Sequence, residues 1–222
     1  MPDIFIIANP AAGRGKSLQR LEVFQSIAKI KYGLECQVAA TRCRGEAESL
    51  AAFHVPADCP LIAVAGGDGS LNEVLNGLAR VGRRIPVLIM PWGTANVVAS
   101  ELRMPSGVEE LAKAASARRI CKFDLGNAGG RVFAMAAGVG FDAWAVAAVH
   151  ACRTGPITMA AYPLVVLRAI VHYPRMPVFS IHSRGGELCS GVRYAVVGNT
   201  RRYGGPFIAT PSASPCDGLL DV

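Results

Sequence analysis

Short runs of apolar, β-branched residues alternate with segments of helical periodicity through the first hundred residues of this 222-residue chain. The apolar runs predict four strands, at Asp3–Ala8, Glu35–Thr41, Leu61–Ala65 and Ile85–Met90. Helices are predicted after these strands, at about Ser17–Lys31, Gly45–Phe53, Asn72–Leu78 and beyond Thr94. Strands that are apolar along nearly their whole length are typical of parallel sheets covered on both faces. The pattern therefore predicts an α/β fold, with a doubly wound parallel sheet and helices on both of its faces.

After about Arg119 the pattern changes. Further strands are predicted at Lys122–Asn127, Arg131–Ala137, Pro177–Ser183 and Glu187–Gly198, with a hairpin turn over 183–187. Two helical stretches are predicted between them, at about Asp142–Cys152 and Met159–His172. A series of strands after an α/β segment indicates a second domain, a mainly antiparallel β-sandwich. We therefore expect one domain over residues 1–119 and another over residues 120–222, packed closely because no Ser- or Pro-rich linker separates them.

Composition excludes several classes of protein. With 51% hydrophobic and 18% charged residues, the chain suits a globular protein rather than a disordered or fibrous one. Its formal net charge of +7 favours anionic partners such as a nucleotide or a phospholipid surface. The basic residues are scattered, and neither an aromatic RNA-binding signature nor zinc-finger spacing accompanies them. Nucleic acid is therefore not expected as a partner.

The cysteines and the apolar segments indicate the cellular compartment in which the protein is expected. The seven cysteines include no CxxC pair and the four histidines lack metal-ligand spacing, which predicts reduced thiols in a cytoplasmic protein. The first residues have no features of a signal peptide. The apolar stretch Ile157–Tyr173 is interrupted by Pro163 and Arg168 and is too short to span a bilayer. Burial against the sandwich is favoured over contact with a membrane surface.

Three predicted loops are rich in glycine and small polar residues, at Asn9–Ser17, Gly66–Ser70 and Pro91–Asn96. In an open α/β sheet such loops lie at the carboxyl ends of the strands, where ligands bind. Glycine lets backbone N–H groups approach a phosphate, and each following helix contributes its positive N-terminus. The GKS at 15–17 lacks the earlier glycine of a Walker A loop, because Pro10 stands there, and no strand leads into GxGxxG. The three loops together predict a nucleotide or phosphate ligand.

Asp68 stands inside the second of these loops. A carboxylate there would repel a phosphate unless a cation or a hydroxyl proton lay between them. Asp68 is therefore predicted to bind magnesium or to accept a proton, as phosphoryl transfer requires. The alternative is a carboxylate that accepts hydrogen bonds from backbone N–H groups and holds the turn. The catalytic interpretation is favoured because the loop lies at a predicted strand end.

In its setting VAGGDGSLNEVLNGL, the second loop resembles the GGDGT loop of the diacylglycerol kinase catalytic-domain family, which includes sphingosine and bacterial lipid kinases. Four other segments resemble motifs of that family in the same order: NPxxG at 9–13, PxGTxN at 91–96, GxGFDA at 138–143 and GG…P.A…DG at 204–218. NAD kinases and phosphofructokinases share GGDG alone, whereas the five motifs together are specific to this family. The resemblance covers the whole chain.

The resemblance implies roles for individual residues in a nucleotide site. Thr41 and Thr94 would contact the nucleotide, and Asn9 would hold the first loop near it. The segment that would cradle the ATP phosphates consists of Gly66, Gly67, Asp68, Gly69, Ser70, Leu71 and Asn72.

In the second domain the resemblance implies a magnesium site. Asp217 and the main-chain oxygens of Ser214 and Leu219 would hold the ion, in agreement with the preference of Mg²⁺ for oxygen ligands. Asp124 matches a family acid near the cleft between the domains.

The chain departs from the family pattern in three ways. Ser70 replaces the usual Thr and keeps its hydroxyl, whereas Val97 stands where many relatives carry Asp. The family's later strands, and a downstream Glu proposed as general base, have no counterpart up to Val222. We therefore expect a chain without the family's C-terminal part, with an exposed sheet edge in the second domain. Asp68 is then the candidate catalytic base.

From these observations we expect a lipid kinase that depends on ATP and Mg²⁺ and transfers the γ-phosphoryl group to a hydroxyl of a diacylglycerol-like or sphingoid lipid. Because its substrate lies in a bilayer, transient contact with a membrane surface from the cytoplasm is expected. Two alternatives stay open: a NAD-kinase-like small-molecule kinase, and a catalytically inactive nucleotide-binding or regulatory module. A homodimer is also left open.

Two smaller features have competing interpretations. Asp142 is expected to cap the following helix rather than to line a lipid cleft. Asn199 and Thr200 are open between contact with substrate and a turn at a strand end.

Overall fold

A computed structural model describes residues 1–141, 143–144, 147, 173, 176–203 and 207–222, with only the backbone of Arg14. Asp142, nearly all of the two helices predicted over 142–172, and the glycine pair at 204–205 lie outside the described residues. We call residues 1–119 the N-terminal half and residues 120–222 the C-terminal half.

The N-terminal half contains one four-stranded sheet in which every strand runs parallel to its neighbours. The strands are β1 (Ile4–Ala8), β2 (Cys36–Ala40), β3 (Ile62–Gly66) and β4 (Val87–Pro91). They lie in the order β2-β1-β3-β4, with Phe5 opposite Ile62 and Ile62 opposite Val87. The predicted parallel sheet is confirmed, and each strand lies within two residues of its predicted bounds.

Five helices follow or flank these strands. They are α1 (Ser17–Tyr32), α2 (Glu46–Phe53), α3 (Asp68–Arg80), α4 (Val97–Glu101) and α5 (Val108–Ala117), and a short 3-10 helix (Ala12–Gly15) precedes α1. Helix α3 begins four residues earlier than Asn72, because Gly67 is extended and the chain turns into the helix directly after β3. Helix α5 was not predicted, although Leu111, Ala112 and Ala115 bury one of its faces.

The sheet separates two apolar layers. Alternate residues of β1 and β3 point to opposite faces, and every residue of both strands is buried. On one face Ile4 and Ile6 pack against α1 and α5 through Phe24 and Leu111. On the other face Phe5, Ile7, Ile62 and Val64 pack against α2 and α3. Each such buried aliphatic or aromatic side chain stabilises the fold by about 1.5–3 kcal/mol.

Antiparallel strand pairs make up the described part of the C-terminal half. The pairs are β5 (Gly126–Ala128) with β6 (Arg131–Phe133), β7 (Ala136–Gly140) with β10 (Tyr194–Gly198), β8 (Phe179–Ser183) with β9 (Gly186–Val192), and β11 (Arg202–Tyr203) with β12 (Phe207–Ile208). The antiparallel character and the β8–β9 hairpin turn are confirmed.

The predicted strand bounds were wrong in three places. The strand predicted from Lys122 is regular only from Gly126. The strand predicted over Arg131–Ala137 divides into β6 and β7, because Ala134 packs against the core of the N-terminal half. The strand predicted over Glu187–Gly198 divides into β9 and β10 at Arg193, whose carbonyl accepts a hydrogen bond from Phe141 N at 3.0 Å.

Asp221, near the last residue of the chain, forms an antiparallel bridge with Gly198 at the end of β10, with N···O distances of 2.8 and 2.9 Å. Across the described ranges, no helix is both long enough and apolar enough to cross a membrane.

Candidate functional site

The carboxyl edge of the parallel sheet brings the glycine-rich loops together. Asn9 N donates to the carbonyl of Ala65 at 2.9 Å, and Trp92 N donates to the carbonyl of Gly66 at 3.0 Å. The backbone of the first loop and that of the third loop therefore both lie against the end of β3. This arrangement follows from the parallel strand order, which places all strand ends at one edge.

The second and third loops touch backbone to backbone at two glycines. A Cβ atom added to Gly93 would lie 2.3 Å from Gly67 Cα, and one added to Gly67 would lie 3.1 Å from Gly93 Cα. No other residue type fits at position 93 unless the loops separate. The glycines therefore serve close loop packing as well as any ligand.

Asn96 ties the third loop to itself. Its Oδ1 accepts a hydrogen bond from Gly93 N at 2.9 Å, and its Nδ2 donates to the carbonyls of Gly93 and Pro91 at 2.8 and 3.1 Å. Asn96 has a left-handed backbone (φ 50°), which asparagine tolerates better than most residues, and it directly precedes α4. Asn96 is the last residue of the PxGTxN motif, but no role was predicted for it. The preference of asparagine for helix starts was the signal available.

The carboxylate of Asp68 reaches across from α3 to the start of α4. Its two oxygens accept hydrogen bonds from Val97 N at 3.1 Å and Val98 N at 3.3 Å. The N-terminus of a helix favours a negative charge, and this carboxylate lies at the start of α4. Asp68 thus joins the two loops. Each carboxylate oxygen has a further lone pair with which to accept another hydrogen bond or to bind a cation.

Asp68, Gly69 and Ser70 form the first turn of α3. Their N–H groups have no partner within the helix, because the residue four positions before each of them lies outside the helix. Gly69 is exposed, and a Cβ added there would meet open space. Asn9 Nδ2 donates to Ser70 Oγ at 3.5 Å, which joins the first loop to this turn. The combination of free N–H groups and a positive helix end suits an anion.

Two residues of the predicted phosphate cradle serve the helix itself. Leu71 is 3% exposed and packs in the core, and its N–H donates to the carbonyl of Gly67 at 3.1 Å. Asn72 is half-buried, and its carbonyl accepts a hydrogen bond from Asn76 Nδ2 at 2.8 Å. Their contact with a nucleotide stays a prediction.

The remaining predicted nucleotide contacts lie at the same sheet edge. Thr41 directly follows β2, and its N and Oγ1 both donate to the carbonyl of Ala8, at 2.8 and 3.3 Å. Asn9 Oδ1 accepts a hydrogen bond from Ala11 N at 3.0 Å, while Thr94 is exposed. Their assignment to a nucleotide also stays a prediction.

The predicted acids of the C-terminal half, Asp124 and Asp217, lie beside the same turn, and we call them the acidic cluster. Asp124 Oδ2 accepts a hydrogen bond from Gly218 N at 2.8 Å, and Asp217 Oδ1 accepts one from Leu219 N at 2.9 Å. The Ser214 carbonyl accepts a hydrogen bond from Asp217 N at 3.4 Å. Carboxylate and carbonyl oxygens are suitable ligands for Mg²⁺. Among the described residues, however, no group of three or more His, Cys, Asp and Glu side chains is placed to hold a metal ion.

Asn199 and Thr200 are buried, which supports the strand-end interpretation over contact with substrate. Asn199 Nδ2 donates to the carbonyls of Asp124 and Ala134 at 2.7 and 2.8 Å. The backbone N–H groups of both residues donate to the carbonyl of Met135, at 2.8 and 3.2 Å. This pair therefore holds the acidic cluster against the segment between β6 and β7.

Two cavities lie along α3, away from its N-terminal turn. One, of about 240 Å³, is polar and includes Glu48, Asn76 and Arg131 in its lining. The other, of about 490 Å³, is mainly apolar and includes Leu78 and Phe123. Neither contains a residue of the predicted nucleotide site.

Comparison with known protein families finds two matches in sequence order. The profile of the diacylglycerol kinase catalytic domain matches residues 3–128. The profile of the YegS C-terminal NAD kinase beta sandwich-like domain matches residues 135–222.

Individual relatives agree with these matches. A diacylglycerol kinase of Bacillus subtilis (strain 168) is 37% identical over 142 residues, which cover 61% of this chain and 45% of the relative. A probable lipid kinase YegS-like of Pseudomonas syringae pv. syringae (strain B728a) is 30% identical over 215 residues, 94% of this chain and 68% of the relative. The chain thus spans less than half of the first relative and about two thirds of the second.

Solved structures agree as well. The crystal structure of a diacylglycerol kinase from Bacillus anthracis str. Sterne superposes with a TM-score of 0.73 at 26% sequence identity. The superposition covers 98% of this chain and 71% of that one.

Proposed function

This chain belongs to the diacylglycerol kinase catalytic domain family, and on that basis we propose that it binds ATP and transfers the γ-phosphoryl group to a lipid hydroxyl. The observation that carries the proposal is the first turn of α3, whose free N–H groups lie at the sheet edge where three glycine-rich loops meet. The boundary between a nucleotide-binding domain and a lipid-binding domain is proposed near residue 120.

In this proposal the N-terminal half provides the phosphate site. The backbone of Gly67, Gly69 and Ser70 binds the phosphates, and Ser70 is held by Asn9. Thr41 and Thr94, at the ends of neighbouring loops, contact the rest of the nucleotide. Phosphoryl transfer depends mainly on positioning and on neutralising charge, so a rigid set of N–H donors serves the reaction directly.

The acidic cluster of the C-terminal half is proposed to hold the cation that accompanies ATP. Asp217 and the Ser214 carbonyl are the candidate ligands, with Leu219 as a further main-chain ligand and Asp124 beside them. Magnesium, when bound, neutralises negative charge on the phosphates.

Asp68 is proposed to have two roles. The hydrogen bonds that it accepts from Val97 N and Val98 N hold the third loop against α3. An ionised carboxylate with unused lone pairs can accept the proton of the attacking lipid hydroxyl. Because the lipid lies in a bilayer, the protein is proposed to bind the membrane surface transiently, as a peripheral protein.

In the test, the protein is incubated with γ-labelled ATP, Mg²⁺ and a total lipid extract in mixed micelles, and transfer of the label is measured. ATP binding is measured separately by titration. The expected result is label in the organic phase. A new labelled product in the aqueous phase, distinct from ATP and inorganic phosphate, would favour the small-molecule kinase. ATP binding without any new labelled product would favour the inactive module. Absence of ATP binding would contradict the proposal altogether.

Asp68→Asn is the informative variant. It replaces one acceptor oxygen with an NH₂ group that faces a backbone N–H, so we expect at least a hundredfold loss of transfer, in line with the contribution of a positioned proton acceptor of about 10²–10⁴-fold. Asp58→Asn is the matched control, because Asp58 is exposed in a distant loop and the change of charge is identical. Equal activity of the two variants would remove Asp68 from the mechanism.

A further inference from the structure

Helix α3 extends from the proposed phosphate site to the C-terminal half. It begins at Asp68, and Asn76 lies eight residues further on, about 12 Å along the helix axis. Asn76 is only 5% exposed, which is unusual for an amide side chain in a helix unless it has specific partners.

Those partners belong to β6. Asn76 Nδ2 donates to the carbonyl of Val132 at 2.9 Å, and Val132 N donates to Asn76 Oδ1 at 3.0 Å. The second Nδ2 hydrogen is used by the carbonyl of Asn72 at 2.8 Å. The amide thus makes with one residue the pair of hydrogen bonds that a neighbouring strand would make. Both donor hydrogens of Asn76 are satisfied.

Helix α2 holds the same strand from another side. Arg131 Nη2 donates to Glu48 Oε2 at 2.7 Å, and the Glu48 side chain is 19% exposed. This hydrogen bond, together with the charge of Glu48, raises the pKa of Arg131. Gly77 allows the close packing of α2 on α3, since a Cβ there would lie 2.3 Å from the carbonyl oxygen of Glu48. We call Glu48, Asn76, Arg131 and Val132 the α3–β6 junction.

From the junction, the side chain of Asn199 links the backbone that follows β6 to the acidic cluster. Ala134 follows Val132 by two residues, and its carbonyl accepts a hydrogen bond from Asn199 Nδ2 at 2.8 Å. The same Nδ2 group donates to the carbonyl of Asp124 at 2.7 Å. A continuous series of contacts therefore runs from α3 through β6 and Asn199 to Asp124.

We propose that Asn76 is a positioning residue, which fixes the acidic cluster of the C-terminal half relative to the phosphate-binding turn of α3. This inference rests on the proposed function, because it concerns the alignment of two parts of one reaction site. A polar amide with a fixed hydrogen-bonding direction specifies the orientation of β6, whereas an apolar contact would let the strand slide.

The kinetic test compares Asn76→Ala with Leu78→Ala. Both changes shorten a buried side chain of α3, but Leu78 packs in the core of the N-terminal half. We expect Asn76→Ala to lower kcat at least tenfold while the KM for ATP changes less than about threefold, because a small misplacement of reacting groups costs up to about a hundredfold in rate. Leu78→Ala is expected to lower stability with little change in kcat. The same kcat loss in both variants would overturn the proposal.

A second variant keeps the test decisive if Asn76→Ala does not fold. Arg131→Gln removes only the exposed member of the junction. We expect kcat to fall here too, but only about twofold to fivefold, because the ion pair with Glu48 is weak and partly exposed. An unchanged kcat in a folded Arg131→Gln protein, together with unfolded Asn76→Ala, would count against the proposal.

Hydrogen–deuterium exchange separates this inference from the proposed function. With a non-hydrolysable ATP analogue and Mg²⁺, exchange is expected to slow in α3 and in the peptide that contains Val132. In Asn76→Ala it should slow in α3 alone. Equal slowing at Val132 in both proteins would overturn the inference and leave nucleotide binding intact. No slowing anywhere in the unaltered chain would overturn the proposed function and the inference together.

Discussion

Different interactions stabilise the N-terminal half and the C-terminal half of the molecule. In the N-terminal half, β1 and β3 are buried along their whole length, and large side chains such as Phe24 and Trp92 fill one of the two apolar layers. In the described part of the C-terminal half the strands form separate pairs, and Leu188 and Phe207 are 59% and 66% exposed. Its buried residues there are small or polar, apart from Met176.

This difference separates two tasks. Close-packed apolar layers resist small displacements, so the N-terminal half keeps the glycine-rich loops in place. The described part of the C-terminal half is oriented by directional hydrogen bonds, at Asn76 and Asn199 above all. Matched pairs of residues, three of them with one member from each half, test whether apolar burial stabilises the N-terminal half and hydrogen bonding orients the C-terminal half.

The largest effect is expected from Ile6→Ala in β1. Ile6 is fully buried between sheet and helices, so the variant should lose about 2–5 kcal/mol of unfolding free energy. Leu188→Ala in β9 removes a mostly exposed side chain and should change stability by less than about 0.5 kcal/mol. Urea denaturation measures both. Losses of similar size would show that the strand pairs of the C-terminal half depend on apolar burial as much as the sheet does.

Next comes the reactivity of two cysteines. Burial raises the pKa of Cys36 in β2 from 9.0 to about 11, with smaller contributions from Glu35 and Asp3. At pH 8 such a rise lowers the thiolate fraction about a hundredfold, so Cys36 should react with iodoacetamide far more slowly than the exposed Cys189. The rate at Cys36 should climb as the pH approaches 11. Peptide mass spectrometry follows each site, and comparable rates at pH 8 would contradict the partial burial of Cys36.

A third pair concerns two glycines of α3. Gly77→Ala places a methyl group against the carbonyl of Glu48 and should cost about 1–3 kcal/mol, although alanine is the better helix former. Gly69→Ala points into open space and should stabilise the helix by up to about 1 kcal/mol. Thermal unfolding distinguishes opposite signs. If Gly77→Ala were also stabilising, the close α2–α3 packing that underlies the junction would be wrong.

The smallest effects are expected from two asparagines, Asn96 directly before α4 and Asn127 in β5. Asn96→Ala removes three hydrogen bonds at the start of α4 and should cost about 1 kcal/mol, with a measurable loss of ATP affinity. Asn127→Ala removes one exposed hydrogen bond, to Gly130 N, and should cost less than about 0.5 kcal/mol without affecting ATP affinity. Calorimetric titration with ATP provides the readout. Equal affinities would separate the Asn96 loop from the nucleotide site.

Much of the N-terminal half could be predicted from local patterns. Four apolar runs identified the strands, and the parallel arrangement then placed the loops after β1, β3 and β4 at one edge. Helix α5 was missed, although Gly107 and the acids Glu109 and Glu110 mark its start in the way expected of a helix N-terminus. Strand lengths in the C-terminal half were predicted less well, because a short antiparallel strand is ended by tertiary contacts such as that of Ala134.

The candidate site divides in the same way. Local sequence contains Gly66–Ser70 and its position after a buried strand, which is enough to predict an anion site at a helix start. It contains nothing to show that the Asp68 carboxylate faces Val97 and Val98, since those groups are about thirty residues away along the chain. Asn76 was missed for the same reason, because Val132 is 56 residues away.

The sequence by itself determined the secondary-structure pattern of the N-terminal half, the family resemblance and the residue types at the loops. These depend on periodicity and on backbone freedom, which act between near neighbours in the chain. Only the tertiary structure decided which polar groups meet: Asp68 with the start of α4, Asn76 with β6, and Asn199 with Asp124. Hydrogen bonds are short and directional, so their partners depend on the packing of distant segments, which no local pattern encodes.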